Sequence, residues 1–335
     1  MTGPTSDKMI TVLGASGLLG TAVSRQLAGR PGRLRLVGRR PVALPERPVA
    51  DIEARAVDLT DPGAVAEAVA GSDAVVHLVA HTAGPGTWRV AATDAVAERV
   101  NLGLVLDVLD AVREGRTAPC PALLFAGSIS QAARLSPEPG GPADEPPTAY
   151  DRQKLAAERA IEAATAEGLV RGSTLRLSTL YSQGTDNPDL DRGVVAGMTR
   201  RAFDGEPLTL WHGGRAMRDF LGVDEAAAAF TAALDAPEAV SGRNWEIGTG
   251  ERTSVAELFA LIAETVARYT GCAPVPVEDT APAEFAMPTD QIDLVVGSTG
   301  FRDATGWRPR VGLREGVDAL AAAVARQPAR SGVTA

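Results

Sequence analysis

The sequence predicts an α/β protein: a doubly wound parallel sheet followed by a smaller, mainly C-terminal unit. Three observations carry that expectation. Short apolar, β-branched runs alternate with helical segments from Met9 to about residue 165, the rhythm of parallel strands joined by helical crossovers. The first run, Met9-Ile-Thr-Val-Leu13, passes directly into Gly14-Ala-Ser-Gly17-Leu-Leu-Gly20 and then a helical stretch, Thr21 to Ala28. After about residue 178 the rhythm breaks into loops, short helices and Pro-interrupted segments.

Strand, glycine turn and helix in that order form the context that gives a dinucleotide-binding fingerprint its meaning. Gly14 permits the tight turn, Gly17 lets the backbone approach a pyrophosphate, and Gly20 lets helix and strand pack closely. Ser16 and Leu18 complete the turn, at a helix N-terminus whose N–H groups and dipole favour an anion. The sheet is therefore expected to be Rossmann-like. The second strand, Leu34 to Gly38, ends in Arg39-Arg40. An NAD site usually carries an acid here for the ribose 2′-hydroxyl. Two arginines fit a 2′-phosphate instead, which points to NADP(H).

The third strand, Glu53 to Val57, ends in Asp58-Leu59, and a helix follows from about Asp61 to Ala70. The fourth, Ala74 to Ala80, is a continuous apolar run, as strands buried on both faces tend to be. It opens into a Gly/Pro loop from His81 to Arg89 that contains Trp88. Ligands lie outside the carboxyl ends of strands in open α/β sheets, so Ala80, His81 and Trp88 are well placed. A helix over 91–113 carries Asn101, and the fifth strand, Pro121 to Ala126, delivers Ser128 and Ser130. The Pro/Gly-rich loop 136–148 leads into a helix bearing Tyr150, and a sixth strand covers Arg171 to Leu177. Beyond it lie a helix at 194–203, Leu208-Thr-Leu-Trp-His212, an Ala-rich helix at 224–234, a strand near 244–247 and a last amphipathic helix. The expected division is 8–178 plus about 214–248 for the coenzyme and about 179–213 plus 249–326 for the substrate. Residues 1–7 and 327–335 read as loose tails.

Composition excludes several classes. A net charge of -9 argues against a nucleic-acid surface. No apolar run reaches the ~18 residues of a membrane span, and the N-terminus does not resemble a signal peptide. Cys120 and Cys272 make neither a disulfide framework nor a metal cluster. A reduced, cytoplasmic protein without a metal is the simplest expectation.

The chemistry centres on Tyr150-Asp-Arg-Gln-Lys154. Of 33 basic residues only Lys8 and Lys154 are lysines, so the body of the chain uses arginine everywhere but here. A compact ammonium with rotatable donors does what a planar guanidinium fork cannot. Positions i and i+4 share a helix face, so phenol and ammonium converge. A nearby cation favours the phenolate. Lowering the phenol from its usual pKa by roughly 3 units takes about 4 kcal/mol. A phenol so tuned can protonate a carbonyl oxygen while hydride arrives at carbon.

The glycine turn, Ser128, Tyr150 and Lys154 together resemble the extended short-chain dehydrogenase/reductase family, whose members mostly act on nucleotide sugars. The resemblance runs from about Lys8 to Arg314. Asp58-Leu59 is similar to that family's adenine-contacting pair. Arg218-Asp-Phe is similar to a motif whose arginine binds the sugar nucleotide's diphosphate, and Asn244-Trp-Glu-Ile-Gly-Thr-Gly and Gly306-Trp-Arg-Pro to its C-terminal signatures. A narrower resemblance, to the dTDP-4-keto-6-deoxyhexose 4-ketoreductases, rests on three stretches: 77–89, 191–198 and 206–212.

It implies direct reduction of a dTDP-keto-sugar by NADPH in a homodimer. Tyr150 would be the proton donor, Ser128 or Ser130 the carbonyl-orienting hydroxyl, and Lys154 a partner of both Tyr150 and the nicotinamide ribose. His81, Trp88, Arg192, His212 and Arg218 would face the substrate. A nucleotide-sugar epimerase, a C3 ketoreductase and a non-catalytic NAD(P)-binding regulator remain the alternatives.

Overall fold

The computed structural model describes residues 8–42, 44, 46–81, 91, 93–115, 119–132, 146, 148–184, 190–191, 193–281 and 288–327. Six strands occur in the first half: β1 Met9–Leu13, β2 Arg33–Gly38, β3 Asp51–Ala56, β4 Ala74–His77, β5 Ala122–Ser128 and β6 Arg171–Leu177. The helices between them are α1 Leu18–Ala28, α2 Ala64–Val69, α3 Ala95–Glu98, α4 Leu104–Glu114 and α5 Ala149–Ala166. With the later strand Arg243–Ile247 they make a seven-stranded sheet in the order β3-β2-β1-β4-β5-β6 and then 243–247. Every pairing is parallel. The doubly wound architecture is as the sequence predicts.

Consecutive strand residues point to opposite faces, and here both faces are buried. Val12, Leu36, Val76 and Leu124 pack under α1 and the helix Val223–Asp235. Their neighbours Leu13, Val37, Val75 and Leu123 pack with residues of α4 and α5 on the other side. This is the reason the strands read as unbroken apolar runs rather than alternating ones.

Three of the boundaries that differ from the sequence reading bear on the site. β4 ends at His77 rather than Ala80. β5 runs on to Ser128, whose backbone is still paired with Leu177. The helix expected over 91–113 is broken by a π-helical turn, Arg99–Gly103. Such turns widen the helix by one residue and re-aim side chains, often at functional sites.

A separate cluster, including Tyr181, Val195, Leu208, Phe259 and Leu320, is built from elements after β6. Asp219 ties this region to the sheet's edge: its carboxylate accepts from Thr249 N at 3.0 Å, Thr249 Oγ1 at 2.7 Å and Gly250 N at 2.9 Å. Phe301 and Trp307 return to the sheet, where Phe301 meets Trp245 edge-on at 5.7 Å. Among the described residues, no helix is long and apolar enough to cross a membrane.

Candidate active site

All the parallel strands end on one side, so the turn after β1, the arginines after β2, Asp58 after β3, Ala80-His81 after β4 and Ser128 at the end of β5 share one edge. The strand order reverses between β1 and β4, and the crevice at that switch point is where such sheets bind ligands.

The glycine turn is tight for steric reasons that the structure shows. Gly14 sits at φ +86°, outside the comfortable range of a side-chain-bearing residue. Its N–H and that of Ala15 both donate to Val37 O, at 2.9 and 3.0 Å. A Cβ on Gly20 would lie 2.0 Å from Gly14 O, so only glycine lets α1 start this close to the strand. Gly17 differs: a Cβ there would meet only Gly14 O, at 3.4 Å. Among the described residues nothing demands glycine at 17, which fits a position kept bare for a ligand. Gly17 caps α1 without a side-chain bond, and no acid occupies the first turn. Leu18 opens the helix, and Ser16 O accepts from exposed Arg40 Nη2 at 3.4 Å. Arg39 is also exposed, and it helps Thr60's two hydrogen bonds hold the Asp58 carboxyl below its usual value. Leu59 is buried beside Asp58. These donors can hold a dinucleotide pyrophosphate and an added 2′-phosphate.

α5 brings Tyr150 and Lys154 onto one face, as the spacing predicts. Lys154 is 1% exposed, a fully buried cation. Its Nζ donates to Ala126 O at 3.1 Å and stands 4.5 Å from the Phe125 ring centroid and 5.9 Å from that of Tyr150. Burial brings the ammonium down to about 7. His77, also buried, lies edge-on to Phe125 at 5.7 Å; burial first and Lys154 second bring its imidazole down to about 3. His77 is therefore neutral, and the site holds one buried cation rather than two.

The expected depression of Tyr150 is not met. Burial, helped by the adjacent Asp151 carboxylate, pushes the phenol up. Helical spacing reveals the lysine's charge but not the cost of burying a phenolate. The phenol therefore keeps its proton across the neutral range, which suits an acid.

Ser128 and Ser130 are both present, but in different settings. Their hydroxyls are 2.8 Å apart. Ser130 Oγ donates to Asp151 Oδ1 at 2.5 Å, so its proton is already committed. Ser128 N donates to Gln131 Oε1 at 2.8 Å, and Gln131 in turn donates to Glu158, the partner of Arg176. Ser128 is thus fixed at its backbone with its hydroxyl at the strand end.

His81 follows β4 with its backbone N–H donated to Asn101 Oδ1 at 2.9 Å, and its Nε2 lies 3.8 Å from Asp94. Arg218 is half-buried and donates to Met217 O at 3.1 Å and to Ile292 O. His212 is exposed at φ +56°, the one non-glycine with positive φ among the described residues. Strain of this kind persists where surrounding structure imposes it and clusters at ligand sites. Trp88 and Arg192 lie outside the described residues.

Two residues were given no role by the sequence reading. Asn101, on the π-helical turn, bridges His81 and Gln153, to which it donates at 2.8 Å. Asp151 is buried beneath the two serines. Its one local signal is Thr148-Ala-Tyr-Asp151, the spacing of a capping box.

The family profile described as "NAD dependent epimerase/dehydratase family" matches residues 10–248. The dTDP-L-rhamnose 4-epimerase of Burkholderia thailandensis is 26% identical over 362 residues, spanning 96% of this chain and 96% of the epimerase. The dTDP-6-deoxy-L-talose 4-dehydrogenase (NAD(P)(+)) of Kitasatospora kifunensis is 28% identical over 98% of this chain and 99% of its own. Among solved structures, the UDP-glucose 4-epimerase of Thermus thermophilus in complex with NAD overlays with a TM-score of 0.74 at 23% identity, across 94% of this chain and 98% of that one. With its glycine turn, its parallel sheet and a family profile matched from the first strand to the end of the seventh, this chain belongs to the NAD dependent epimerase/dehydratase family.

Proposed function

We propose that the protein reduces the C4 keto group of a dTDP-4-keto-6-deoxyhexose with NADPH, in the formation of deoxysugars for natural-product glycosides. The observation that carries this reading is one constellation. A proton-bearing Tyr150, a buried Lys154 and a strand-end Ser128 stand at the sheet edge that also carries the glycine turn and Arg39-Arg40. The Kitasatospora relative, named as a dTDP-6-deoxysugar 4-dehydrogenase, supports the substrate class, since a 4-dehydrogenase run in reverse is a 4-ketoreductase.

When bound, the reduced coenzyme supplies hydride. The protein does the rest. Gly14, Ser16, Gly17, Leu18 and Gly20 would hold the pyrophosphate, Asp58, Leu59 and Ala80 the adenosine side, and Arg39 and Arg40 the 2′-phosphate. Ser128 orients the carbonyl, Tyr150 gives its phenolic proton to the oxygen, and Lys154 stabilises the phenolate left behind. Arg218 neutralises the diphosphate, with His81, Trp88, Arg192 and His212 around the sugar. Residues 8–178 and about 214–248 serve the coenzyme, about 179–213 and 249–326 the substrate, in a cytoplasmic homodimer.

The test is incubation with NADPH and a panel of dTDP-keto-sugars, following coenzyme oxidation and the position of the new hydroxyl. Hydroxyl formed at C3 would move the reaction one carbon. The second reading, a 4-epimerase, is favoured by the Burkholderia relative. It requires tightly held NAD in the purified protein and product formation without added coenzyme.

The arginines make a separate prediction. Arg39→Ala/Arg40→Ala should erase most of a preference for NADPH over NADH, each charged hydrogen bond contributing roughly 1.5–3 kcal/mol. An unmodified enzyme that prefers NADH sinks the assignment.

A further inference from the structure

Asp151 has no part in the reaction as written above, yet its surroundings are unusually ordered. It is fully buried in the first turn of α5. A hydroxyl meets each of its oxygens: Ser130 Oγ at 2.5 Å from Oδ1, and Thr148 Oγ1 at 2.6 Å from Oδ2. Thr148 is also the helix N-cap and accepts from the Asp151 N–H at 3.1 Å, so the carboxyl is clamped on both sides. With Ser130 Oγ 2.8 Å from Ser128 Oγ, an unbroken line of hydroxyls runs from a buried carboxyl to the carbonyl-orienting serine.

Such a line has a direction, because each serine has one proton to give. With Asp151 ionised, both its oxygens only accept. Ser130 then gives its proton to Oδ1, and the bond between the serines takes the proton of Ser128. Ser128 is left with lone pairs facing a carbonyl oxygen, which is itself an acceptor. With Oδ1 protonated the order reverses: Asp151 donates to Ser130, Ser130 to Ser128, and Ser128 to the carbonyl. No heavy atom has to move.

We infer that Asp151 is a positioning residue whose carboxyl proton sets the polarity of the Ser128–Ser130 pair, and so decides whether Ser128 donates to the substrate carbonyl. The inference rests on the reductive reading above. The proton comes from solvent and returns to it, and no bond in the substrate depends on it.

The surroundings shift the carboxyl toward its protonated form. Burial raises the Asp151 carboxyl, against the lowering effect of the Ser130 and Thr148 bonds and of Arg152. Charges on the neighbouring elements are otherwise engaged: Arg99 of the π-helical turn pairs with Asp107, and Arg176 of β6 with Glu158. On α5 itself, Lys154 is turned to Ala126 O and the phenol of Tyr150 keeps its proton. His81, after β4, faces Asp94, and Glu98 lies on α3.

The test is Asp151→Asn. Thr148 already accepts the helix N–H, so it is left to donate, which seats the amide oxygen on its side and the amide NH₂ on Ser130. Asparagine thereby locks the line in the donating direction at every pH. Wild-type kcat for ketone reduction should fall with rising pH along a one-proton limb, about tenfold per pH unit. Asp151→Asn should lose the carboxyl's share of that limb and keep only the fall that sets in as Lys154 gives up its proton at about 7, with KM unchanged. Ser130→Ala, which cuts the line but leaves the Asp151–Thr148 clamp, should also lose the carboxyl's limb, because no hydroxyl then draws the Ser128 proton away from the carbonyl. A pH profile in Asp151→Asn that superimposes on that of wild type, or a variant slower than wild type at low pH, overturns the inference.

Thermal unfolding supplies a readout that needs no substrate. A carboxyl raised in the folded state gives stability that is lost as pH rises through its folded pKa. The Tm of Asp151→Asn should therefore gain on wild type over the same pH range, and a gap that stays flat also overturns the inference. A widening gap in a protein that reduces none of the keto sugars supports the polarity switch and overturns only the reductive reading.

Discussion

Tyr150→Phe lowers kcat by roughly 10²–10⁴-fold, the loss expected for a general acid, with coenzyme affinity little changed. The ring would still pack against Ala97 and Ala149, so the variant tests the hydroxyl and not the fold. No other phenol can substitute. Tyr181 is buried in the separate cluster built from elements after β6, and Tyr269 is 40% exposed with its hydroxyl on Asp318. Because burial above all holds the phenol protonated, loss of the acid sets in only at alkaline pH. Turnover of a keto sugar and coenzyme titration on the same preparation check this, and near-normal turnover would remove Tyr150 from the mechanism.

Lys154→Met separates activity from stability. Turnover should collapse, since the phenolate formed at Tyr150 loses its cation. The fold should gain. Lys154 titrates at about 7 in the folded protein because of burial, against about 10.4 in an unfolded chain. Below the folded value, the native state must hold a charge that the unfolded chain keeps in water. The difference is on the order of 4–5 kcal/mol. Between those two values the unfolded chain binds more protons, so wild-type stability rises with pH. The Met variant lacks that slope, and its advantage in Tm should be largest near pH 6–7 and shrink toward pH 10. A Met variant less stable than wild type at pH 7 would mean that the bonds to Ala126 O and the Phe125 ring outweigh desolvation. Lys154→Arg should also lose activity, because a guanidinium fork does not fit a space shaped for an ammonium.

What is legible in the sequence is local. The turn from Gly14 to Gly20 can be read because strand, glycine spacing and helix are contiguous; the clash that excludes a side chain at Gly20 lies within the turn itself, whereas the one at Gly14 is with the Leu78–Val79 backbone after β4. The Tyr150–Lys154 face follows from helical spacing alone. Strand-end positions follow once the parallel sheet is assumed. Burial on both faces explains why the strands are recognisable and also why β4 reads longer than it is. Leu78 and Val79 continue the apolar run, but strand pairing stops at His77.

The sequence by itself determined which residue types meet: a glycine turn after the first strand, a phenol and an ammonium one helical turn apart, and hydroxyls at the end of the fifth strand. Only the tertiary structure decided their electrical state and their partners. Asn101 joins His81 across 20 residues and Gln153 across 52, and Ser130 reaches Asp151 across 21. Lys154 is driven to about 7 by neighbours that no local pattern encodes. The physical reason is desolvation. The cost of holding a charge depends on everything packed around it, so the sequence can place the groups of an active site while the assembled fold sets which of them carry protons.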